Sequence, residues 1–299
     1  MKTQPSAQQL PAVAPSPAGL STNSNLSTQS IIIEPQTCWA ALNFREVWEY
    51  RDLLYFMIWR DLKARYRQTA LGPLWIILQP IVSMVLYTVV FGWIAKLPSD
   101  GVPYSVFSYV GLLPWGFFSD AVSASSGGLS GNKDLISKVY FPRLIGPISK
   151  TAGRLVDLAV EGIILVLMLL YFRIQPSWGL VLIPLFLFIA AATGLGFGML
   201  FSGIVVKYRD VGNVVGYIMR AWMYAVPVVY SATLIPPQWL WLYSLNPIYS
   251  VIVGFRWALT GTEAPAAWAV VVNTLTAIVL FVLGLYVFKR AERNIVDVL

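Results

Sequence analysis

Six stretches of this chain, at about 73–95, 105–125, 147–171, 179–205, 212–232 and 267–288, are apolar. Each is close to the ~20 residues that a helix needs to cross the hydrocarbon core of a bilayer. A chain of 299 residues that is 57% hydrophobic and only 12% charged cannot cover a water-facing surface. Soluble domains carry about 25% charged residues. The residues predict an all-α polytopic membrane protein with six transmembrane helices.

The net charge of +7 is not spread evenly. One set of loops and flanks holds Lys2, Arg45, Arg51, Arg60, Lys63, Arg65, Arg67, Lys133, Lys138, Arg143, Lys150, Arg154, Lys207, Arg209, Lys289, Arg290 and Arg293. The opposite set holds Lys96, Arg173 and Arg256. Seventeen against three assigns the first set, and both termini, to the cytoplasmic side. This distribution between apolar runs also argues against a nucleic-acid partner.

The segment 233–266 is apolar as well, but Pro236, Pro237, Pro247 and Gly254 divide it into pieces too short to cross. Short apolar helices interrupted by proline, placed before the last span, predict a re-entrant or interfacial hairpin buried in protein. Residues 44–68 mix Trp48, Leu53, Phe56, Met57 and Trp59 with Arg51, Arg60, Lys63, Arg65 and Arg67. That mixture predicts an N-terminal amphipathic helix at the membrane interface. Residues 1–43 open with a stretch rich in Ser, Gln, Pro and Thr. They have no apolar h-region after Lys2 and are expected to form a disordered cytoplasmic tail rather than a signal peptide.

Several chemistries are excluded by what is missing. The sequence has no histidine and one cysteine, Cys38. Ser-His-Asp and Cys-His catalysis, imidazole metal sites and an intrachain disulfide are therefore excluded. No phosphate-binding Gly-Lys-Ser/Thr loop occurs, so the chain does not hydrolyse ATP by that route. No catalytic residue, metal ligand or cofactor is assigned to the chain, and any energy comes from a partner or an ion gradient.

The loop Gly131–Arg143 carries Leu135, Ile136, Val139 and Tyr140 at i, i+1, i+4 and i+5, one face of a short helix ended by Pro142. An apolar face pointing into cytosol needs a groove, either on a partner or on the chain's own bundle.

Four segments together resemble the ABC-2 type permeases that export polysaccharide, including the O-antigen, capsule and teichoic-acid exporters. They are Arg60 to Trp75 (Arg-Asp-Leu-Lys-Ala-Arg-Tyr-Arg-Gln-Thr-Ala-Leu-Gly-Pro-Leu-Trp), Lys133 to Arg143, Lys207 to Val211, and Asn246-Pro247 followed by Arg256 and Gly261. The resemblance covers about 44–299, with 69–299 as the transmembrane domain. It implies a homodimeric channel in the bacterial inner membrane, served by two separate nucleotide-binding ATPase subunits that bind ATP and Mg. It implies a polysaccharide substrate carried on a polyprenyl pyrophosphate or another lipid. It also makes Lys133, Asp134, Leu135, Lys138, Tyr140, Phe141 and Arg143 a coupling helix to the ATPase.

Aromatic rings stack on the C–H faces of sugars without gripping one position of the polymer. Tyr87, Phe91, Trp115, Phe117, Phe118, Tyr217, Trp222 and Tyr224 are the candidates for lining such a channel. Aromatic belts at the interfaces and ordinary packing use the same residues. Arg60, Lys63, Arg65 and Arg67 lie where a lipid pyrophosphate would arrive, and an arginine fork suits phosphate oxygens. General attraction to anionic membrane lipids is the alternative. Asp120, Asp157, Glu161 and Arg220 are charges inside spans, and Arg154, Asp157 and Glu161 share one helical face, as an ion network between helices would require. An ion-coupled secondary carrier using Asp157 and Glu161, and a membrane enzyme acting on lipid-linked sugars, are the rival functions. Neither explains a cytoplasmic docking helix.

Overall fold

The computed structural model describes residues 44–66, 71–128, 131, 141–208 and 210–295. The expected tail at 1–43 lies outside them. So do Arg67 and the part of the coupling segment that holds Lys133, Asp134, Leu135, Lys138 and Tyr140.

The described residues are mostly helical, with no strand among them. In chain order the helices are α1 (Phe44–Glu49), α2 (Arg51–Tyr66), α3 (Leu74–Tyr87), α4 (Tyr104–Ser126), α5 (Ile145–Tyr171), α6 (Ile183–Lys207), α7 (Val211–Trp222), α8 (Leu240–Ser244), α9 (Tyr249–Thr260) and α10 (Ala267–Ile295). α3 continues as a wider π-helical turn over Thr88–Ile94, and a 3-10 turn over Trp178–Leu182 leads into α6.

Three helical stretches are long and apolar enough to cross a membrane: Leu74–Ile94, Trp178–Lys207 and Ala267–Glu292, with mean hydropathies of 2.1, 2.4 and 2.4. α4 and α5 have 23 and 27 residues. At ~1.5 Å rise per residue their length exceeds the ~30 Å core, but their composition is more polar. α4 explains its own polarity. It packs against α3, α5, α6 and α9, and Ser108, Ser125 and Ser126 are buried with its apolar residues. A helix covered on all sides by protein has no need of a lipid-compatible surface.

The expected fifth span, 212–232, is interrupted. α7 ends at Trp222, the chain turns through Met223–Ala225, and Pro227 follows. Proline supplies no N–H to a continuing helix. The carbonyls freed beyond the break are claimed by side chains from elsewhere in the chain. Arg256 Nη1 donates to the Tyr230 carbonyl at 3.1 Å, Arg256 Nη2 donates to Val228, and the Tyr104 hydroxyl donates to Val229. Downstream, Pro236 and Pro237 leave only a 3-10 turn before α8, and α9 ends on Gly261 with φ +71°, a left-handed cap that favours glycine.

Where the sequence predicts one amphipathic helix over 44–68, the described residues form two helices separated at Tyr50. Met57 of α2 is fully buried with Phe141 and Ile145, whereas Trp48, Tyr55, Phe56 and Trp59 remain exposed.

Contacts between distant residues fix which helix ends lie together. At one end, the Ser231 hydroxyl bonds to Asp100 at 2.6 Å and Ser177 Oγ donates to the Trp257 carbonyl at 2.7 Å. At the other, Arg143 Nη1 donates to the Glu292 carbonyl at 2.7 Å, and Val47 packs with Leu144, Met199, Leu285 and Phe288. The second end is the one flanked by the basic loops.

Candidate functional site

α3, α4 and α5 each turn one face toward a shared cavity of about 430 Å³. α3 contributes Trp75, Gln79, Ser83 and Tyr87, a stripe at four-residue spacing. α4 contributes Tyr109, Leu112, Leu113, Trp115, Gly116, Phe117 and Asp120. α5 adds Arg154, Asp157, Leu158 and Glu161. Arg65 of α2 and Met223 after α7 complete the lining.

The charged residues form a connected set. Arg154 Nη1 stands 2.8 Å from Asp120 Oδ2 and 3.3 Å from Asp157 Oδ2. Arg65 Nη1 pairs with the same Asp157 oxygen. These bonds tie α2, α4 and α5 together. A charge in a span costs ~2.5–3.5 kcal/mol on insertion scales unless it faces a cavity or a partner charge, and these four face both. Glu161 differs. Its carboxylate has no hydrogen bond or ion pair among the described residues, although its backbone carbonyl accepts from the Tyr109 hydroxyl at 3.1 Å. No group of three His, Cys, Asp or Glu among the described residues has the arrangement to hold a metal ion.

The candidate channel aromatics fall into separate places. Tyr87, Trp115 and Phe117 line the cavity. Phe91 packs beside Tyr87, with ring centroids 5.8 Å apart. Phe118 is fully buried and meets Trp222 edge-on at 5.7 Å, and Phe197 meets Trp222 at 5.1 Å. Tyr217 and Tyr224 are exposed, and Tyr217 carries the Arg220 guanidinium 5.6 Å from its ring centroid.

The cationic candidates separate in the same way. Arg65 reaches into the cavity and pairs with Asp157. Arg60 pairs with Asp61 at 2.7 Å on its own helix, and Lys63 is exposed on α2. Phe141 packs with Met57, and Arg143 bonds to the C-terminal part of α10.

Sequence reasoning picked out Asp120, Asp157 and Glu161 as charges within spans but did not place them beside Tyr87 and Trp115. The four-residue stripe on α3, with Gln79 and Ser83 as the polar positions of an otherwise apolar run, is the signal that points to that face.

A second cavity, of about 660 Å³, lies at the opposite end and is lined by residues including Asp100, Ser231, Tyr249, Arg256, Glu263 and Trp268.

Residues 52–260 match the family described as ABC-2 type transporter. The chain is 28% identical over 255 residues to the O-antigen export system permease protein RfbA of Myxococcus xanthus, covering 85% of this chain and 97% of that one. It is 26% identical over 252 residues to the O-antigen export system permease protein RfbA of Klebsiella pneumoniae, covering 83% and 95%. It is also 26% identical over 243 residues to the polysialic acid transport protein KpsM of Escherichia coli, covering 78% and 91%.

Proposed function

The chain belongs to the ABC-2 type transporter family, and on that premise we propose that it is the membrane permease subunit of an ATP-driven exporter of polysaccharide. The similarity to relatives named for O-antigen export and polysialic acid transport, which runs along most of this chain, carries the reading. The bundle has chemistry that suits it. Tyr87, Trp115 and Phe117 line one cavity with polar and charged groups, a surface for both faces of a sugar.

In this reading the chain spans the bacterial inner membrane six times, with both termini in the cytoplasm. α3 with its π-helical extension, α4, α5, α6 and α10 are continuous spans, the sixth crossing is made by α7 together with the non-helical chain that follows Trp222, and α8 and α9 form a re-entrant hairpin. α1 and α2 lie at the cytoplasmic interface, where the exposed Trp48, Phe56 and Trp59 meet the headgroup region. Two copies form the channel. Two nucleotide-binding subunits supply ATP and Mg chemistry, and they dock on the segment Lys133 to Arg143. A polysaccharide on a polyprenyl pyrophosphate or another lipid arrives at Arg60, Lys63, Arg65 and Arg67.

Removing the chain from cells that make the polysaccharide is expected to leave glycan on the inner face, with export restored by complementation. Surface polysaccharide made at the ordinary rate without the chain would overturn the reading. Leu135→Glu with Tyr140→Glu is expected to abolish co-purification of the ATPase while the chain still inserts, because an apolar docking area is lost.

A further inference from the structure

The cavity between α3, α4 and α5 is built for a ligand that is uncharged and rich in hydroxyls. Its two guanidinium groups are already engaged. Arg65 and Arg154 both bond Asp157, and Arg154 also bonds Asp120. Both cations already have carboxylate partners, so a phosphate entering the cavity would have to displace Asp120 or Asp157 from a guanidinium.

Hydroxyl donors meet the opposite situation. The Glu161 carboxylate lines the cavity with no partner among the described residues, and the Asp120 side chain is 49% exposed. A carboxyl group accepts hydroxyl hydrogens through both of its oxygens. Gln79 and Ser83 on α3 face the same space and both donate and accept. The rings of Tyr87, Trp115 and Phe117 supply the flat apolar surface that a sugar's C–H face covers. A metal ion is a poor fit, since the three carboxylates do not group as ligands. A volume of about 430 Å³ lies within the ~300–1,000 Å³ of small-molecule pockets and holds a short run of sugar rings rather than a long polymer.

We propose that this cavity is a glycosyl subsite that takes the neutral sugar end of the exported chain, with Glu161 and Asp120 as hydroxyl acceptors and Trp115 as the stacking face. Any lipid phosphate stays outside, at Arg60 and Lys63 of α2, while Arg65 remains with Asp157. Selection then rests on the sugar and not on the carrier. This inference depends on polysaccharide being the substrate, and its test separates the two statements.

Full-length protein in nanodiscs, with its ATPase bound and no nucleotide, is titrated with a neutral hexose trisaccharide and separately with inorganic pyrophosphate, each followed by calorimetry. Pyrophosphate is expected neither to compete with the trisaccharide nor to bind in the cavity. Glu161→Gln keeps the side chain's shape and breaks no observed bond, so the complex should assemble at the wild-type level. It is expected to weaken trisaccharide binding about tenfold, the loss of one hydrogen bond, because the amide offers one acceptor oxygen where the carboxyl group offers two. Trp115→Phe should bind more tightly than Trp115→Ala. Unchanged binding in Glu161→Gln, or competition by pyrophosphate, overturns the subsite. If the subsite alone is wrong, cells lacking the chain still fail to export. If the export reading is wrong, surface polysaccharide persists in those cells whatever the trisaccharide does.

Discussion

The guanidinium carbon of Arg256 lies 3.7 Å from the ring centroid of Phe107, and the two residues are 3% and 1% exposed. From that position Arg256 donates to the carbonyls of Val228 and Tyr230, which the break after α7 leaves without helical partners. A planar guanidinium stacks on a ring with its face and forks to two acceptors with its edge, which an ammonium cannot reproduce. Gly111 on α4 makes room for it. A methyl group there would stand 2.6 Å from the Val228 oxygen and 2.8 Å from an Arg256 nitrogen.

Arg256→Met is therefore expected to leave two buried carbonyls unsatisfied and to remove the ring contact. The loss is on the order of 3 kcal/mol, from hydrogen bonds to a charged group plus a desolvated cation–π contact. Arg256→Lys should recover part of it. Thermal unfolding of the purified protein in detergent should rank wild type above Lys and Lys above Met. A Lys variant as stable as wild type would show that the charge alone matters and the fork does not.

How much of this was legible in the sequence depends on how local the cause is. Apolar length is local, and α3, α6 and α10 fall where the apolar runs do. Pro236 and Pro237 are local too, and they mark the short elements before α9. The end of α7 was only partly legible: Pro227 is a local signal within 212–232, but what makes the break tolerable comes from Arg256 and Tyr104, far away in the chain. The charged set behaves in the same way. Arg154, Asp157 and Glu161 share a face by spacing alone, but Arg65 joins them across 92 positions. No periodicity announces a contact of that kind.

The packing of α6 on α10 rests on two glycines. A methyl group on Gly196 would lie 2.7 Å from the carbonyl carbon and oxygen of Leu280, and one on Gly284 would collide with the Gly196 carbonyl. Backbone cannot rotate aside as a side chain can, so the helices would have to separate. Small residues allow this close approach where no hydrophobic force drives two helices together in lipid. Gly284→Leu is expected to cost about 1–3 kcal/mol, the range for overpacking, and to lower the yield of folded protein. Gly216→Leu on α7, where nothing lies within 4 Å, is the matched control and should be mild. Equal behaviour of the two variants would show that α6 and α10 do not hold this spacing in the membrane.

Trp115 and Trp222 were equivalent as candidate channel residues by sequence, and the structure separates what their loss should do. Trp115 lines the cavity while remaining only 5% exposed, with Phe118 at 5.5 Å behind it. Trp222 stands edge-on to Phe118 and Phe197, at 5.7 and 5.1 Å, and holds α7 against α4 and α6. Edge-on aromatic pairs add about 0.5–1.5 kcal/mol to the burial itself. Truncating a large packed aromatic costs roughly 3–5 kcal/mol. Trp222→Ala is therefore expected to reduce the amount of assembled complex, with export per complex close to normal. Trp115→Ala carries some of the same packing cost, but its distinguishing effect should be a lower export rate per complex, since it strips the flat face from the cavity. Trp115→Phe should restore most of that rate, and Trp222→Phe should restore mostly yield. The measurement is export of radiolabelled polysaccharide into everted membrane vesicles, divided by folded complex counted in the same vesicles. A normal ratio for Trp115→Ala would remove that residue from the glycan path and leave packing as its role. A ratio depressed by Trp222→Ala at normal yield would place Trp222 on the path instead.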